Sequence, residues 1–285
     1  MVLRLGCVPF LNAKPLIAGL EGRRDVRIVF APPSRLAGLL RRGWVDAALL
    51  PVVDCFREPG FRPVAGVGIV ARGKAGSVRL LLRRPVREVR TLALDRNSHT
   101  SNALARVWLA GRHGVRPRVS TWDPARTPFG RLRTDAAVVI GDNAFRPEMR
   151  GIVSIDLAEA WRRWTGLPFV FAVWAVGGTS PSTGSGPSRF RPGGPVGARR
   201  PLPHPGQIIR LLRAARDRGL RARKAIALAE GPKVQLSPGA AFRYLSKQLS
   251  YRAGRREERA VRAFRARCAE IGLCPRADGD LEWIR

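Results

Sequence analysis

The sequence is poor in the residues that build metal centres and disulfide frameworks. Its 285 residues include four cysteines and three histidines. No two cysteines form a C-x-x-C pair, and no histidine lies near a cysteine in the chain. This scarcity predicts neither a bound metal nor a disulfide framework.

Long apolar runs are also lacking. The longest, Leu167 to Val176, ends at a Gly-Gly pair, well short of the roughly 18 to 20 residues of a membrane-spanning helix. The N-terminal residues MVLRLGCVPF lack the basic start and long apolar stretch of a secretory signal and are typical of a first β-strand. We therefore expect a soluble, cytoplasmic protein with no membrane partner.

Several motifs of large enzyme classes are missing. The chain has no G-x-G-x-x-G, no G-x-x-x-x-G-K-[ST], no G-x-S-x-G and no H-E-x-x-H. Nucleotide-binding, hydrolase and zinc-protease interpretations therefore lack support.

Acidic residues are scarce, with 21 Asp and Glu against 52 Lys and Arg and a formal net charge of +31. Five of the basic residues are lysine and the rest are arginines spread along the chain, a pattern typical of a GC-rich genome. We interpret the charge as promoting solubility and steering anionic substrates. Nucleic-acid binding is the alternative, which a steep salt dependence of DNA retention would support.

The hydrophobic pattern predicts an α/β protein. The first stretch alternates strand and helix signals, and Ser34 is the predicted N-cap of its second helix. This order favours a parallel sheet with right-handed crossovers. The predicted elements are strands at Leu3 to Phe10, Asp25 to Phe30 and Val45 to Leu50, with helices at Asn12 to Leu20 and after Ser34.

A second unit follows the Arg-rich segment Arg83 to Arg90. Its predicted strands are Thr91 to Leu94 and Ala136 to Ile140, with helices opening at Asn102 and Leu157. Residues 177–205 are rich in Gly, Ser and Pro and predict a flexible insertion. The remaining chain is helical and is expected to pack on the first unit. Its predicted helices are Gln207 to Gly219, Arg221 to Ala229, Ser237 to Leu249 and Glu257 to Ile271.

Polar residues follow three predicted strands, where ligands bind in open parallel sheets. Ser98, Thr100 and Ser101 stand at a helix N-terminus, whose free N–H groups favour anions. Ordinary helix capping explains the same residues equally well. Asn12 follows the first strand, and Gly141 and Asp142 follow another. On its own, the pattern indicates a binding cleft for a small anion.

Taken together, these turns resemble the chorismate dehydratases of the futalosine route to menaquinone. The resemblance spans nearly the whole chain except the insertion. The segments that carry it are Pro9 to Leu16, Asp46 to Pro51, Ser98 to Ser101, Ile140 to Asp142, Asp156 to Trp161, Gly166 to Trp174, Tyr244 to Leu245 and Ser250 to Arg252.

The resemblance implies a two-lobed type II periplasmic-binding-protein-like fold with two crossing hinge strands. Lobe one would comprise residues 1–86 plus 206–285, and lobe two residues 87–175. Arg83 to Arg90 and Leu167 to Trp174 would be the hinge strands. These boundaries agree with the expectation that the helical C-terminus returns to the first unit.

The resemblance also implies a reaction, loss of water from chorismate to give 3-[(1-carboxyvinyl)oxy]benzoate, with no cofactor and no metal. Asn12 and Ser98 would be catalytic. The predicted substrate contacts are Pro51, His99, Thr100, Ser101, Gly141 and Asp142. Where the family commonly has arginine, this chain has His99, which cannot copy a bidentate carboxylate contact.

Two further functions are compatible with such a cleft. One is the sister enzyme of the same pathway, which makes 1,4-dihydroxy-6-naphthoate; the Pro9 to Leu16 and Ser98 to Ser101 segments favour the dehydratase. The other is a non-catalytic protein that binds small carboxylates, against which the N-terminal sequence argues. Incubation with chorismate separates these functions.

Overall fold

Two five-stranded sheets organise the computed structural model, which describes residues 2–177, 205–276 and 281–285. The strands are β1 (Leu3–Cys7), β2 (Val26–Phe30), β3 (Ala47–Pro51), β4 (Phe61–Ala71), β5 (Val78–Leu82), β6 (Thr91–Asp95), β7 (Arg118–Trp122), β8 (Ala136–Ile140), β9 (Ser154–Asp156) and β10 (Phe169–Gly177). The α-helices are α1 (Pro33–Arg41), α2 (Val52–Arg57), α3 (His99–His113), α4 (Leu157–Thr165), α5 (Pro205–Arg221), α6 (Arg223–Glu230), α7 (Pro238–Arg243) and α8 (Arg255–Glu270).

The first sheet has the strand order β2-β1-β3-β10-β4. Strand β1 runs parallel to β2 and β3, as the sequence pattern predicted, whereas β10 pairs antiparallel with β3 and β4. Every residue of β3 is buried, and a strand covered on both faces has a continuous apolar run. The sequence therefore located this central strand well.

Two details of the first unit differ from the predictions. The predicted Ser34 cap is wrong: α1 starts at Pro33 after Pro32, which makes no side-chain cap, and proline's fixed φ suits the first helical turn. The segment predicted as a helix from Asn12 to Leu20 is a short 3-10 helix, Leu11–Leu16. Pro15 within it lacks the N–H that a longer helix would need.

The second sheet has the order β7-β6-β8-β5-β9, and β6 runs parallel to both β7 and β8. Strand β8 occupies the predicted residues and is fully buried. The sequence missed β7, whose first four residues are exposed, and β9, which has three residues. Neither strand has the apolar alternation that identifies a half-buried strand.

The chain crosses between the sheets twice. The first crossing is residues 72–77, because β4 belongs to the first sheet and β5 to the second. It precedes the predicted Arg83 to Arg90 hinge strand, which the structure does not place at the crossing. The second crossing runs through α4, after which Phe169 enters the first sheet in β10. The lobe boundaries themselves stay a prediction.

One carboxylate joins the two crossings. Asp156 is the N-cap of α4 and accepts a hydrogen bond from the Glu159 backbone N–H at 3.1 Å. The same side chain accepts from the backbone N–H groups of Ala75 at 3.1 Å and Gly76 at 2.6 Å in the first crossing. The start of α4 and the first crossing are therefore held together.

The C-terminal helices pack on the first sheet, which confirms that expectation. Helix α5 contacts the 3-10 helix Leu11–Leu16 and β4, and α8 contacts β10. Arg213 on α5 donates to the Ala65 carbonyl at 3.0 Å. The predicted insertion at 177–205 lies almost entirely outside the described residues. Within the described ranges, no helix combines the length and apolar character needed to cross a membrane.

Candidate functional site

A cavity opens between the two sheets where several strands end. Strands β1, β3, β6 and β8 contribute their carboxyl ends, and the first crossing contributes one wall. This is the edge at which open α/β sheets bind ligands. The polar residues lining the cavity are Asn12, Ser77, Asn97, Ser98, Thr100 and Ser101, and the apolar lining includes Val8, Phe10, Leu49, Pro51, Ile69, Ile140, Phe171 and Leu249.

The structure brings together six of the eight predicted site residues. Asn12 lies on the wall formed by the 3-10 helix after β1, and the α3 hydroxyls lie across the cavity from the other sheet unit. His99 and Asp142 do not line the cavity. The six lining residues are Asn12, Pro51, Ser98, Thr100, Ser101 and Gly141.

The start of α3 both caps the helix and faces the cavity. The Ser98 hydroxyl oxygen accepts a hydrogen bond from the Ser101 backbone N–H at 3.2 Å. The Thr100 hydroxyl oxygen accepts from the Val53 backbone N–H at 3.4 Å. Because these oxygens already accept, their own hydrogens can be donated to a ligand. Capping and ligand binding, alternatives at the level of sequence, are compatible here.

His99 contacts α2 and is not among the residues that line the cavity. Its Nδ1 atom lies 2.8 Å from Oδ1 of Asp54, a buried residue of α2. Because α2 follows β3 and α3 follows β6, this hydrogen bond joins the two sheet units. The predicted substrate contact by His99 is thus replaced by a contact between helices.

Replacing His99 by alanine is expected to destabilise the protein. Asp54 Oδ2 is already buried without a partner in the described structure, and the substitution would leave Oδ1 unpaired as well. The expected loss is about 1 to 3 kcal/mol in the free energy of unfolding, measured by denaturant titration. The double variant His99→Ala/Asp54→Asn should recover part of it. Unchanged stability of the single variant would contradict the role of this contact.

Two carboxyl groups lie next to the cavity, the buried Asp95 and the partly buried Asp142. Burial raises the pKa of Asp142 to about 6, although a hydrogen bond from the Leu11 backbone N–H lowers this pKa. Burial likewise raises the pKa of Asp95 to about 6, and the backbone N–H groups of Asn97 and Ile140 partly offset this effect. Through these hydrogen bonds Asp95 stabilises the turn that leads into α3, and Asp142 stabilises the 3-10 helix that carries Asn12.

The raised pKa of Asp142 predicts a pH-dependent stability difference. The unfolded carboxyl loses its proton near 3.8, so the folded state binds more protons between about pH 4 and 6 and loses stability as the pH rises through this window. Asp142→Asn cannot ionise. It should therefore raise the free energy of unfolding near neutral pH by on the order of 2 kcal/mol and leave it unchanged near pH 4. Thermal unfolding at both pH values measures this, and an equal gain at both would contradict it.

Ser77, which the sequence did not identify, lies in the wall between the sheets. It is buried, and its hydroxyl oxygen accepts from the Tyr244 phenol at 2.8 Å. Its carbonyl accepts from the Gly141 backbone N–H at 2.8 Å. No motif surrounds Ser77, since its place depends on where the chain passes from β4 to β5. Only the fold could reveal it.

The polar side chains of the cavity lining are not ionisable. Among the described residues that line it, there is no Asp, Glu, His, Lys, Arg or Cys. The polar contribution consists of four hydroxyl groups and two amides. Likewise, no group of three His, Cys, Asp or Glu side chains in the described ranges could hold a metal ion. The site is therefore built to surround a ligand with neutral hydrogen-bonding groups.

Comparisons with known proteins agree on family and fold. Residues 3–270 match the family described as menaquinone biosynthesis. The chorismate dehydratase of Thermus thermophilus is 27% identical over 256 residues, covering 82% of this chain and 83% of that protein. The chorismate dehydratase of Campylobacter jejuni is 29% identical over 164 residues, 57% of this chain and 58% of that protein.

A solved structure shares the fold. The periplasmic aliphatic sulphonate binding protein of Escherichia coli superposes with a TM-score of 0.64 at 12% identity, covering 99% of this chain and 90% of that one. The predicted fold class, an α/β periplasmic-binding-protein-like fold, is therefore confirmed.

Proposed function

This chain belongs to the menaquinone biosynthesis family, and from that premise we propose that it is a chorismate dehydratase. It would remove water from chorismate to give 3-[(1-carboxyvinyl)oxy]benzoate, without a redox or metal cofactor. The cytoplasmic location and the boundaries of the two lobes stay predictions within this proposal.

The observation that carries the proposal is the absence of ionisable side chains from the described lining of the cavity. Chorismate brings two carboxylates of its own. Neutral hydroxyl and amide donors on both walls can orient a dianion, and the apolar lining limits the water around it. A site without an acid or base suits a substrate that carries its own base.

The bond changes follow from this arrangement. The ring C3–H bond breaks and its proton passes to a carboxylate of the substrate. The electron pair left at C3 completes the aromatic ring as the C4–O bond breaks, and the departing hydroxide leaves as water after taking up a proton. Aromatisation supplies the driving force. The protein orients the carboxylate and stabilises charge on the departing oxygen.

The two walls have separate parts in this mechanism. Ser98, Thr100 and Ser101 would hold one carboxylate at the start of α3, where the free N–H groups of the helix also favour an anion. Asn12 and Ser77 would face the departing oxygen from the opposite side. The excess of positive charge on the rest of the protein would concentrate the dianion near the cleft.

Incubating the purified protein with chorismate tests the proposal. We expect chorismate to disappear and the aromatic enol ether to form without added cofactor, at the same rate with and without a metal chelator. Liquid chromatography with mass detection distinguishes this product from 1,4-dihydroxy-6-naphthoate. Chorismate that raises the melting temperature but is not consumed would overturn the enzymatic proposal and indicate a binding protein.

A further inference from the structure

Tyr244 stands directly behind the cavity wall. It begins a π-helix, Tyr244–Gln248, in the C-terminal part of the chain and is buried. Its phenol donates to the Ser77 hydroxyl oxygen at 2.8 Å, and the Asn12 side chain interacts with the same phenol. Its ring packs edge-on against Phe145, with ring centroids 4.9 Å apart. One buried side chain is therefore bonded to Ser77 and interacts electrostatically with Asn12, the two polar residues of this wall.

The Tyr244 phenol stays protonated in its surroundings. Burial holds the pKa of the phenol well above its usual range, and the nearby Asp142 acts in the same direction. The phenol therefore keeps its hydrogen, which it donates to Ser77. With its oxygen accepting from Tyr244, the Ser77 hydroxyl directs its own hydrogen elsewhere, and the cavity is the space that Ser77 lines.

The Asn12 amide is arranged in a complementary way. Its Oδ1 atom is buried and has no hydrogen-bond partner in the described part of the chain. The Asn12 side chain also lowers the pKa of the phenol, and Oδ1 remains available to a ligand. Tyr244 thus influences the orientation of both groups on the wall opposite α3.

We propose that Tyr244 is a positioning residue that orients the Ser77 hydroxyl and the Asn12 amide towards the departing oxygen of the substrate. This inference rests on the proposed dehydration. Tyr244 does not line the cavity, so it acts only through its two neighbours. Because a hydroxyl that accepts a hydrogen bond becomes a stronger donor, the phenol would also strengthen the contact that Ser77 makes.

The two tyrosines of the chain supply a matched pair of variants. Tyr244→Phe removes the phenol that contacts Ser77. Tyr251→Phe removes a phenol that is buried and has no partner within the described ranges. We expect Tyr244→Phe to lower kcat by about 10-fold with KM nearly unchanged, since the departing oxygen gains charge only in the transition state. Tyr251→Phe should match the wild type in both constants.

Ser77→Ala provides an independent measurement if Tyr244→Phe fails to fold. It should lower kcat by about 100-fold, and adding Tyr244→Phe to it should cost much less than in the wild-type background. Equal kcat values for the two tyrosine variants, a rise in KM alone, or additive losses in the double variant would overturn the role of Tyr244.

The wild-type measurement separates failure of this inference from failure of the proposed function. Absence of wild-type turnover overturns the dehydratase proposal. The role of Tyr244 then falls with it, whereas wild-type turnover together with equal kcat values for the two tyrosine variants overturns the role of Tyr244 alone. Wild-type protein that neither consumes nor binds chorismate overturns both proposals.

Discussion

Replacing Asn12 by alanine is expected to lower kcat/KM for chorismate by about 100-fold. Removing a donor that faces developing negative charge has an effect of this order. Asn12 is the amide on the wall across from α3, where its NH₂ group can donate to the departing oxygen, and its Oδ1 atom, which has no partner among the described residues, can accept from a substrate hydroxyl. Steady-state kinetics on chorismate loss, with circular dichroism to verify folding, measures the effect.

Asn143→Ala is the matched control for this variant. Asn143 follows Asp142 on a second 3-10 helix, Gly141–Phe145, and is partly buried like Asn12, but it does not line the cavity. It should retain nearly wild-type kcat/KM. Full turnover by the Asn12 variant, or an equal loss in both variants, would contradict the assignment of Asn12 to the reacting centre.

Gly219→Ala is expected to disturb the same wall from outside the cavity. Gly219 lies in α5, and a Cβ atom at this position would overlap the backbone carbonyl of Pro15, in the 3-10 helix that carries Asn12. Since backbone cannot move aside as a flexible side chain does, we expect the free energy of unfolding to fall by about 3 kcal/mol. Thermal and denaturant unfolding measure the loss.

Gly38→Ala separates steric overlap from the general effect of replacing a helical glycine. A Cβ atom at Gly38 in α1 would meet only the Arg42 side chain, at 3.5 Å. Alanine favours a helix over glycine by about 1 kcal/mol, so this variant should be as stable as the wild type or more so. The Gly219 prediction is contradicted if both variants gain stability.

The parts of the fold that could be predicted from sequence are those with strong local signals. Strands β3 and β8 are short and buried on both faces, so their apolar runs located them. The long strand β4 was missed because Pro63, Gly66 and Gly68 lie within it, and these residues normally argue against a strand. Its pairing with β10 stabilises it despite this composition.

The candidate site also contains residues that the sequence could predict and a contact that it could not. Asn12, Ser98, Thr100 and Ser101 follow strands directly, so the rule for the carboxyl ends of strands placed them at the cavity. The contact of His99 with Asp54 depends on how α2 packs against α3, which no sequence pattern encodes. The sequence could therefore not predict which residues of a turn face the ligand.

The carboxylate of Asp156 has a consequence for how the cleft can open. The Asp156 carboxylate accepts hydrogen bonds from both crossings. Any rotation of one sheet unit against the other would therefore pivot close to Asp156. Atoms near the pivot then travel little, and Ser77 is next to Gly76 in the first crossing. The start of α3 belongs to the second sheet unit, but it is bonded to α2 of the first unit through His99 and Asp54. Rotation of the units would therefore have to break this hydrogen bond, whereas the Asp156 contacts beside Ser77 could stay in place.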